Sequence, residues 1–180
     1  MTIVVGYIVG SLSEQSINRR LARYLAERAP RGIELSEISI KDLPLYNYDL
    51  DQRLPAPIVA FKEAIESHHT VLFVTPEYNR SIPGVLKNAI DCGSRPWGQN
   101  SWSGRRAAVL GAGLNGAGTA VAQSHLRSVL GYLEMTVLGI PEVCVPWRDD
   151  LFESAATGEY LDDFWRHLAG NLPALEQIVR

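Results

Sequence analysis

The chain has 180 residues, of which 46% are hydrophobic and 21% are charged, and its formal net charge is −3. This length suits one α/β domain with a core on both sides of a sheet. The mild acidity argues against a nucleic-acid-binding surface, because such surfaces are strongly basic.

Disulfide-rich, secreted and membrane proteins are also disfavoured. Only two cysteines occur, Cys92 and Cys144, so neither a disulfide framework nor a CxxC redox pair is expected, and both thiols are predicted to be buried as small apolar groups. The apolar run at residues 3–9 has no basic segment before it and no cleavage site after it, which predicts a strand and not a signal peptide. No apolar run approaches the ~20 residues of a membrane-spanning helix. A cytoplasmic location is expected.

Apolar periodicity predicts strands that alternate with helices along the chain. Strands are predicted at residues 3–9, 33–40, 71–75 and 107–111, with a fifth, interrupted strand at 136–138 and 143–145. Helices are predicted from residue 17 to the breaker at 30–32, and at 58–67, 85–92, 119–133 and 161–179. This alternation is typical of an α/β protein with a doubly wound, five-stranded parallel sheet and helices on both faces. We expect a single domain over residues 1–180.

Ligands of such sheets bind beyond the carboxyl ends of the strands, where the strand order reverses. In the common order 2-1-3-4-5, this rule selects three loops, at residues 10–18, 76–82 and 111–118. A fourth segment, 41–57, is long and irregular, which is typical of a functional or interface loop.

The first loop, GSLSEQSIN, carries the hydroxyls of Ser11, Ser13 and Ser16 and the amide of Asn18 into a helix N-terminus. Helix N-termini present unpaired N–H groups and a positive dipole end, which favour a phosphate. A serine that merely caps the helix would account for one of these hydroxyls but not for three. The sequence contains no GxxxxGK[ST] motif, so a nucleoside triphosphate site is disfavoured.

The other two loops have a ligand-binding interpretation and a structural one. PEYNRSI at 76–82 could offer backbone amides and the Tyr78 ring to a flat heterocycle, or it could be an ordinary surface turn. GAGLNG at 111–116 matches the dinucleotide fingerprint, but that fingerprint belongs after the first strand of the fold. The acidic residue at the matching distance, Glu134, precedes a strand and does not end one. A glycine-rich loop here could instead let the backbone approach a cofactor edge.

The sequence contains no clear motif for acid–base catalysis or for metal binding. The GxSxG motif is absent, and the four histidines lack ligand spacing with cysteines or carboxylates. Hydride transfer through a flavin needs little of this machinery, because the cofactor carries the chemistry.

These segments resemble the NAD(P)H-dependent FMN reductase family, a flavodoxin-like group that includes quinone, chromate and azo-dye reductases. The strongest match is TPEYNRSIPGVLKNAIDCGSRP at 75–96, supported by 10–18, 42–51, 122–133 and 141–142. The resemblance implies a flavodoxin-like fold, non-covalently bound FMN, NADPH or NADH as electron donor, and homodimers or homotetramers.

The resemblance also implies the binding residues. Ser11, Ser16 and Asn18 would hold the FMN phosphate, the backbone of 76–79 would border the isoalloxazine ring, and Gly113 would lie by its pyrimidine edge. The residues predicted to bind FMN are Ser11, Ser13, Ser16, Ile17, Asn18, Pro76, Glu77, Tyr78, Asn79 and Gly113. No side chain is predicted to be catalytic and no metal is expected. Tyr78 would form a wall beside the ring, and an aromatic from a partner subunit (among Tyr46, Tyr48 and Trp97) would cover it.

The chain departs from the family's usual residues at several of these positions. The family often has Arg at position 13, Gly at 15, Trp at 92, Ser at 113, Gly at 115 and Arg at 121. In this chain those positions hold Ser13, Gln15, Cys92, Gly113, Asn115 and Val121. The change at Ser13 removes a cation from the predicted phosphate site, which should weaken FMN binding because charge-assisted hydrogen bonds are the stronger ones.

The resemblance implies ping-pong turnover: a nicotinamide delivers hydride to flavin N5, and a quinone, azo compound or chromate then accepts the electrons at the same face. Three alternatives stay open. One is a flavodoxin-type electron carrier without its own NAD(P)H oxidation, although such carriers are usually strongly acidic. The others are a Rossmann-type dehydrogenase that uses loop 111–118 and a flavin-free signalling domain.

Overall fold

The computed structural model describes residues 2–139 and 141–172. Within them the chain alternates between strands and helices. The strands are β1 (Ile3–Val9), β2 (Ile33–Glu37), β3 (Thr70–Val74), β4 (Arg106–Gly113), β5 (Thr136–Val137) and β6 (Val143–Pro146). The helices are α1 (Ile17–Glu27), α2 (Ala56–Glu66), α3 (Gly84–Ser94), α4 (Ala120–Tyr132) and α5 (Ala155–Gly170). Two 3₁₀ turns occupy Tyr48–Gln52 and Leu151–Glu153.

The sheet is parallel and has the predicted strand order, β2-β1-β3-β4-β5. The interrupted fifth strand is confirmed, since β5 and β6 pair with different parts of the same edge of β4. β5 lies beside Arg106–Ala107 and β6 beside Leu110–Gly113. The order reverses between β1 and β3, because the chain adds β2 on one side of β1 and every later strand on the other.

Two apolar layers hold the helices on the two faces of the sheet. One layer includes Ile58, Leu86 and Leu126, so α2, α3 and α4 cover that face. The other includes Leu21 and Leu161, so α1 and α5 cover the opposite face. β3 is buried along its whole length and supplies alternate side chains to the two layers, as the two-residue period of a strand requires.

The predicted boundaries of α2, α3 and α4 are correct to within two residues, but three other elements differ. β2 ends at Glu37 instead of residue 40, and β4 continues through two glycines to Gly113. α5 begins at Ala155, six residues before the predicted start, because its first turns carry no apolar repeat to reveal it. Its buried Gly158 instead packs against the Arg28 guanidinium, which pairs with Asp162 at 2.8 Å. The predicted helix beyond residue 172 lies outside the described residues.

The two cysteines are both free. Cys92 is fully buried, as predicted, and burial raises the pKa of its thiol to about 11. Cys144 is only half-buried, and its pKa is raised by the same cause. In the part of the chain that the structure describes, no helix has the length and apolar character needed to cross a bilayer.

Gly93 marks the tightest packing in α3. A Cβ added there would lie 2.6 Å from atoms of the Trp102 indole, a ring that is fully buried and donates its N–H to the Ile90 carbonyl at 2.9 Å. The helix can approach the indole closely only because residue 93 has no side chain.

We therefore expect Gly93→Ala to lower the free energy of unfolding by about 1–3 kcal/mol, because the added methyl group overpacks the core. Gly131→Ala in α4 is the matched control, since nothing lies within 4 Å of its added Cβ. That substitution should stabilise the protein by about 0.5–1 kcal/mol through helix propensity alone. Denaturant unfolding of both variants measures these changes in the free energy of unfolding. Equal changes in the two variants would contradict the proposed overpacking against Trp102.

Candidate functional site

The three loops predicted from the sequence meet in one cleft of about 460 Å³. It opens beyond the carboxyl ends of β1, β3 and β4, next to the reversal of the strand order. All the residues predicted to bind FMN line it except Asn79. Sequence reasoning missed Gln15, Ala112, Leu114, Asn115 and Gly118, which line it as well.

The first wall is the start of α1. The Ser16 hydroxyl caps the helix by accepting a hydrogen bond from the Arg19 N–H at 3.2 Å, and the buried Ser11 hydroxyl accepts one from the Ser13 N–H at 3.3 Å. Within residues 2–139 and 141–172, no acceptor bonds to the N–H groups of Ile17 and Asn18. This end of the cleft therefore offers free donors, rotatable hydroxyls and a positive dipole end.

Asn18 ties this wall to the end of β4. Its side chain is fully buried, donates to the Ala112 carbonyl at 2.9 Å and accepts from the Ala112 N–H at 2.8 Å. The amide oxygen and one amide N–H are thereby used inside the protein, so only the second N–H is left for a ligand. Asn18 is first of all a structural clamp, a role that its predicted contact with phosphate did not anticipate.

The second wall is a tight turn after β3. Tyr78 and Ser81 exchange two backbone hydrogen bonds, of 2.9 and 3.0 Å, and between them Asn79 and Arg80 have φ angles of 49° and 63°. Two successive positive φ angles are typical of a type I′ turn. Asn79 lies at its tip and is not among the residues that line the cleft, so its contact with FMN stays a prediction. Tyr78, 51% exposed, stands at the cleft mouth.

The third wall is the glycine-rich segment after β4. Gly111 and Gly113 lie inside the strand, and Gly111 packs directly on the Thr75 backbone. A side chain at Gly113 would overlap the Gly118 carbonyl, because residues 114–118 fold back over it. Gly111 and Gly113, the first two glycines of the apparent dinucleotide fingerprint, therefore serve close backbone packing and not a turn into a helix, which removes the basis for a Rossmann site.

The cleft is electrostatically simple. Neither lysine nor arginine is among the residues that line it, and its titratable members are Glu77 and Tyr78. The Glu77 side chain is only 7% exposed, and its carboxylate accepts hydrogen bonds from the first turn of α4. The arrangement offers neutral hydrogen-bond donors at one end and backbone edges beside an exposed aromatic at the other.

None of the three aromatics considered as a cover lines the cleft. Tyr46 is held by its N–H, which donates to Asn88 Oδ1 at 2.8 Å, and the Arg95 guanidinium lies 5.3 Å from the ring of exposed Tyr48. Trp97 lies in the connection that leads to the start of β4, at the edge of the sheet opposite the cleft. A covering role for any of them stays a prediction.

The strand order, the open helix N-terminus at the reversal and the backbone walls together define a flavodoxin-like protein, with a cleft whose chemistry suits a phosphate-bearing planar ligand. The family described as NADPH-dependent FMN reductase matches residues 3–148 of the chain. The chain belongs to this family and is an oxidoreductase of flavodoxin-like fold, which confirms the predicted family, fold and class of activity.

Individual relatives agree over most of their length. A 2-hydroxy-1,4-benzoquinone reductase from a Burkholderia species is 42% identical, with 91% of this chain and 93% of the relative covered. A quinone reductase from Pseudomonas putida is 44% identical, with coverage of 84% and 82%. Among solved structures, the flavoenzyme NAD(P)H:(acceptor) oxidoreductase FerB from Paracoccus denitrificans has a TM-score of 0.88 at 37% identity, covering 92% of this chain and 94% of that one.

Asn18→Ala should lower the free energy of unfolding by about 1–3 kcal/mol, because it leaves the buried N–H and carbonyl of Ala112 without partners. It should also speed amide hydrogen exchange at residues 110–113. Asn88→Ala is the control, since Asn88 is a similar clamp that accepts from the Tyr46 N–H and donates to the Pro44 carbonyl at 2.9 Å. There the faster exchange should appear at Leu45 and Tyr46. Unchanged exchange at Ala112 in the Asn18 variant would contradict the clamp.

Proposed function

We propose that the enzyme oxidises NADPH or NADH and passes the electrons to small quinones, with FMN bound in the cleft. One observation carries the proposal: a free helix N-terminus with three serine hydroxyls converges, at the strand-order reversal, with two walls of exposed backbone. Such a site fits a ligand that is anionic at one end and flat at the other.

The residues present fit the phosphate of FMN without a cation. The hydroxyls of Ser11, Ser13 and Ser16 can rotate to donate, and the N–H of Ile17 points from the positive end of the α1 dipole. Ser13 takes the place of the arginine frequent in the family, so the site holds a phosphate by neutral donors alone. Its affinity should therefore depend little on ionic strength.

The residues present also fit the ring. The backbone of residues 76–78 and the folded-back segment 113–118 would border it on two sides, with Tyr78 as a side wall. Bound FMN would supply the hydride and electron transfer that no side chain of the cleft can supply. The protein's part is to orient the ring and to leave one side of it accessible to the substrates.

The acceptor class follows from the mouth of the cleft and from the relatives. Tyr78 on the second wall and Leu114 on the third are 51% and 85% exposed, and both present apolar surface to an entering molecule. A small flat acceptor suits that opening, and two relatives above 40% identity are named for quinone reduction. Azo compounds and chromate are further candidate acceptors.

The remaining expectations extend this proposal. We propose a homodimer or homotetramer, in which a partner subunit supplies an aromatic cover, and a single FMN-binding domain that spans the whole chain. A cytoplasmic location would give the enzyme access to NAD(P)H.

The phosphate site can be tested with Ser13→Arg, which restores a cation at the rim of the cleft. FMN should bind about three- to tenfold more tightly, because the new hydrogen bond is charge-assisted, and this gain should fall with added salt. Flavin fluorescence quenching gives the dissociation constants. Riboflavin, which lacks the phosphate, is the matched ligand and should be unaffected. An equal gain for both flavins would place the phosphate elsewhere.

The activity can be tested by initial rates with NADPH and 1,4-benzoquinone. Under this proposal NADPH and the quinone use the same open face of the FMN ring in turn. Double-reciprocal plots at several fixed quinone concentrations should therefore be parallel lines. Intersecting lines would show that both substrates bind together. A protein that binds FMN but does not oxidise NADPH would instead be an electron carrier.

A further inference from the structure

Helix α4 begins beside the cleft without a local cap. The Thr119 hydroxyl, at the N-cap position, accepts from the Gln123 amide at 2.9 Å and does not bond to the first turn. The N–H groups of Ala120 and Gln123 bond to backbone carbonyls. Those of Val121 and Ala122 point outward from the helix and need another acceptor.

That acceptor is Glu77, more than forty residues earlier in the chain. Its Oε2 accepts from the Val121 N–H at 3.0 Å and from the Ala122 N–H at 3.1 Å. The side chain is only 7% exposed, and its other oxygen, Oε1, lies 3.4 Å from the Arg80 guanidinium. A carboxylate at a helix N-terminus is stabilised by the dipole and by charge-assisted hydrogen bonds, so this contact is a strong one.

A second contact joins the same two elements. The Ser81 hydroxyl lies 3.1 Å from His125 Nδ1, one turn further along α4. Glu77 directly precedes the type I′ turn of residues 78–81, which makes the second wall of the cleft, and Ser81 ends it, so α4 holds this turn at both of its ends. The backbone of the wall is consequently placed by α4 and not only by β3.

We propose that Glu77 is a positioning residue for FMN, acting through the turn it anchors. By capping α4, its carboxylate fixes the backbone of residues 76–78 where the ring would lie. It also occupies the N-terminus of α4, which leaves the N-terminus of α1 as the place in the cleft for a phosphate. The inference rests on the proposed function, because it assumes that FMN occupies the cleft.

The test compares FMN binding by wild type, Glu77→Ala and Glu77→Gln, through fluorescence quenching and the band shape of the bound flavin in the visible spectrum. Glu77→Ala should raise the dissociation constant by about tenfold or more, because the turn loses its anchor. Glu77→Gln keeps an oxygen that accepts from Val121 and Ala122, so the increase should stay below about threefold. The visible bands of bound FMN should broaden in the alanine variant only.

Asn100→Ala is the matched control for loss of stability. Asn100 donates to the Leu133 carbonyl at 2.9 Å, so it holds the opposite end of the same helix, away from the cleft. This variant should lower Tm while changing FMN binding by less than about twofold. If Glu77→Ala does not fold, Ser81→Ala, which removes only the second contact, should still raise the dissociation constant by about threefold.

Several outcomes would overturn the inference. If Glu77→Ala binds FMN as tightly as wild type does, Glu77 has no positioning role, although FMN still occupies the cleft. If Glu77→Ala does not fold, wild-type affinity in Ser81→Ala leads to the same conclusion. If Glu77→Ala and Asn100→Ala weaken FMN binding equally, the effect reflects a general loss of stability. If Glu77→Ala and Glu77→Gln weaken FMN binding equally, the acceptor oxygen of residue 77 has no role in it. If wild type itself binds no FMN, this inference and the proposed function both fail.

Discussion

The cleft depends on one buried contact, the two-way hydrogen bond between the Asn18 side chain and the Ala112 backbone. β1 and β4 are not neighbours in the sheet, since β3 lies between them. The loops that follow β1 and β4 therefore need a tie that reaches past β3. An asparagine side chain can both donate to and accept from a single residue's backbone, and so it satisfies a strand end and locates a helix start at once.

Helices α1 and α4 both begin beside the cleft, but their N-termini are capped in different ways. α1 is capped by its own Ser16, which leaves N–H groups free to meet an anion from outside. α4 receives its cap from Glu77, a side chain of the protein itself. Ser16 satisfies one N–H group of the first turn of α1 and leaves others open, whereas Glu77 accepts from both N–H groups of α4 that lack a carbonyl partner. The difference makes the cleft asymmetric and gives it one polar end.

How far the sequence predicts the structure varies with the range of the interaction. β3 and α4 are recovered almost to the residue, because their apolar patterns reflect burial that is local and periodic. The serine loop is recovered for a similar reason, since hydroxyls before an amphipathic helix are a local signal. The early turns of α5 are missed because they pack through Gly158 against Arg28, a contact that leaves no apolar repeat.

By itself, the sequence determined the alternation of strands and helices and the three loops that form the site. Those features follow from apolar periodicity and from the rule that parallel strands collect their loops at one edge. Only the tertiary structure decided what individual residues do there: Asn18 clamps β4, Glu77 caps α4, and Gly111 lets β4 pack on the backbone of Thr75. Each of these three contacts joins residues more than 30 positions apart along the chain, and contacts over such distances have no periodic trace in a sequence.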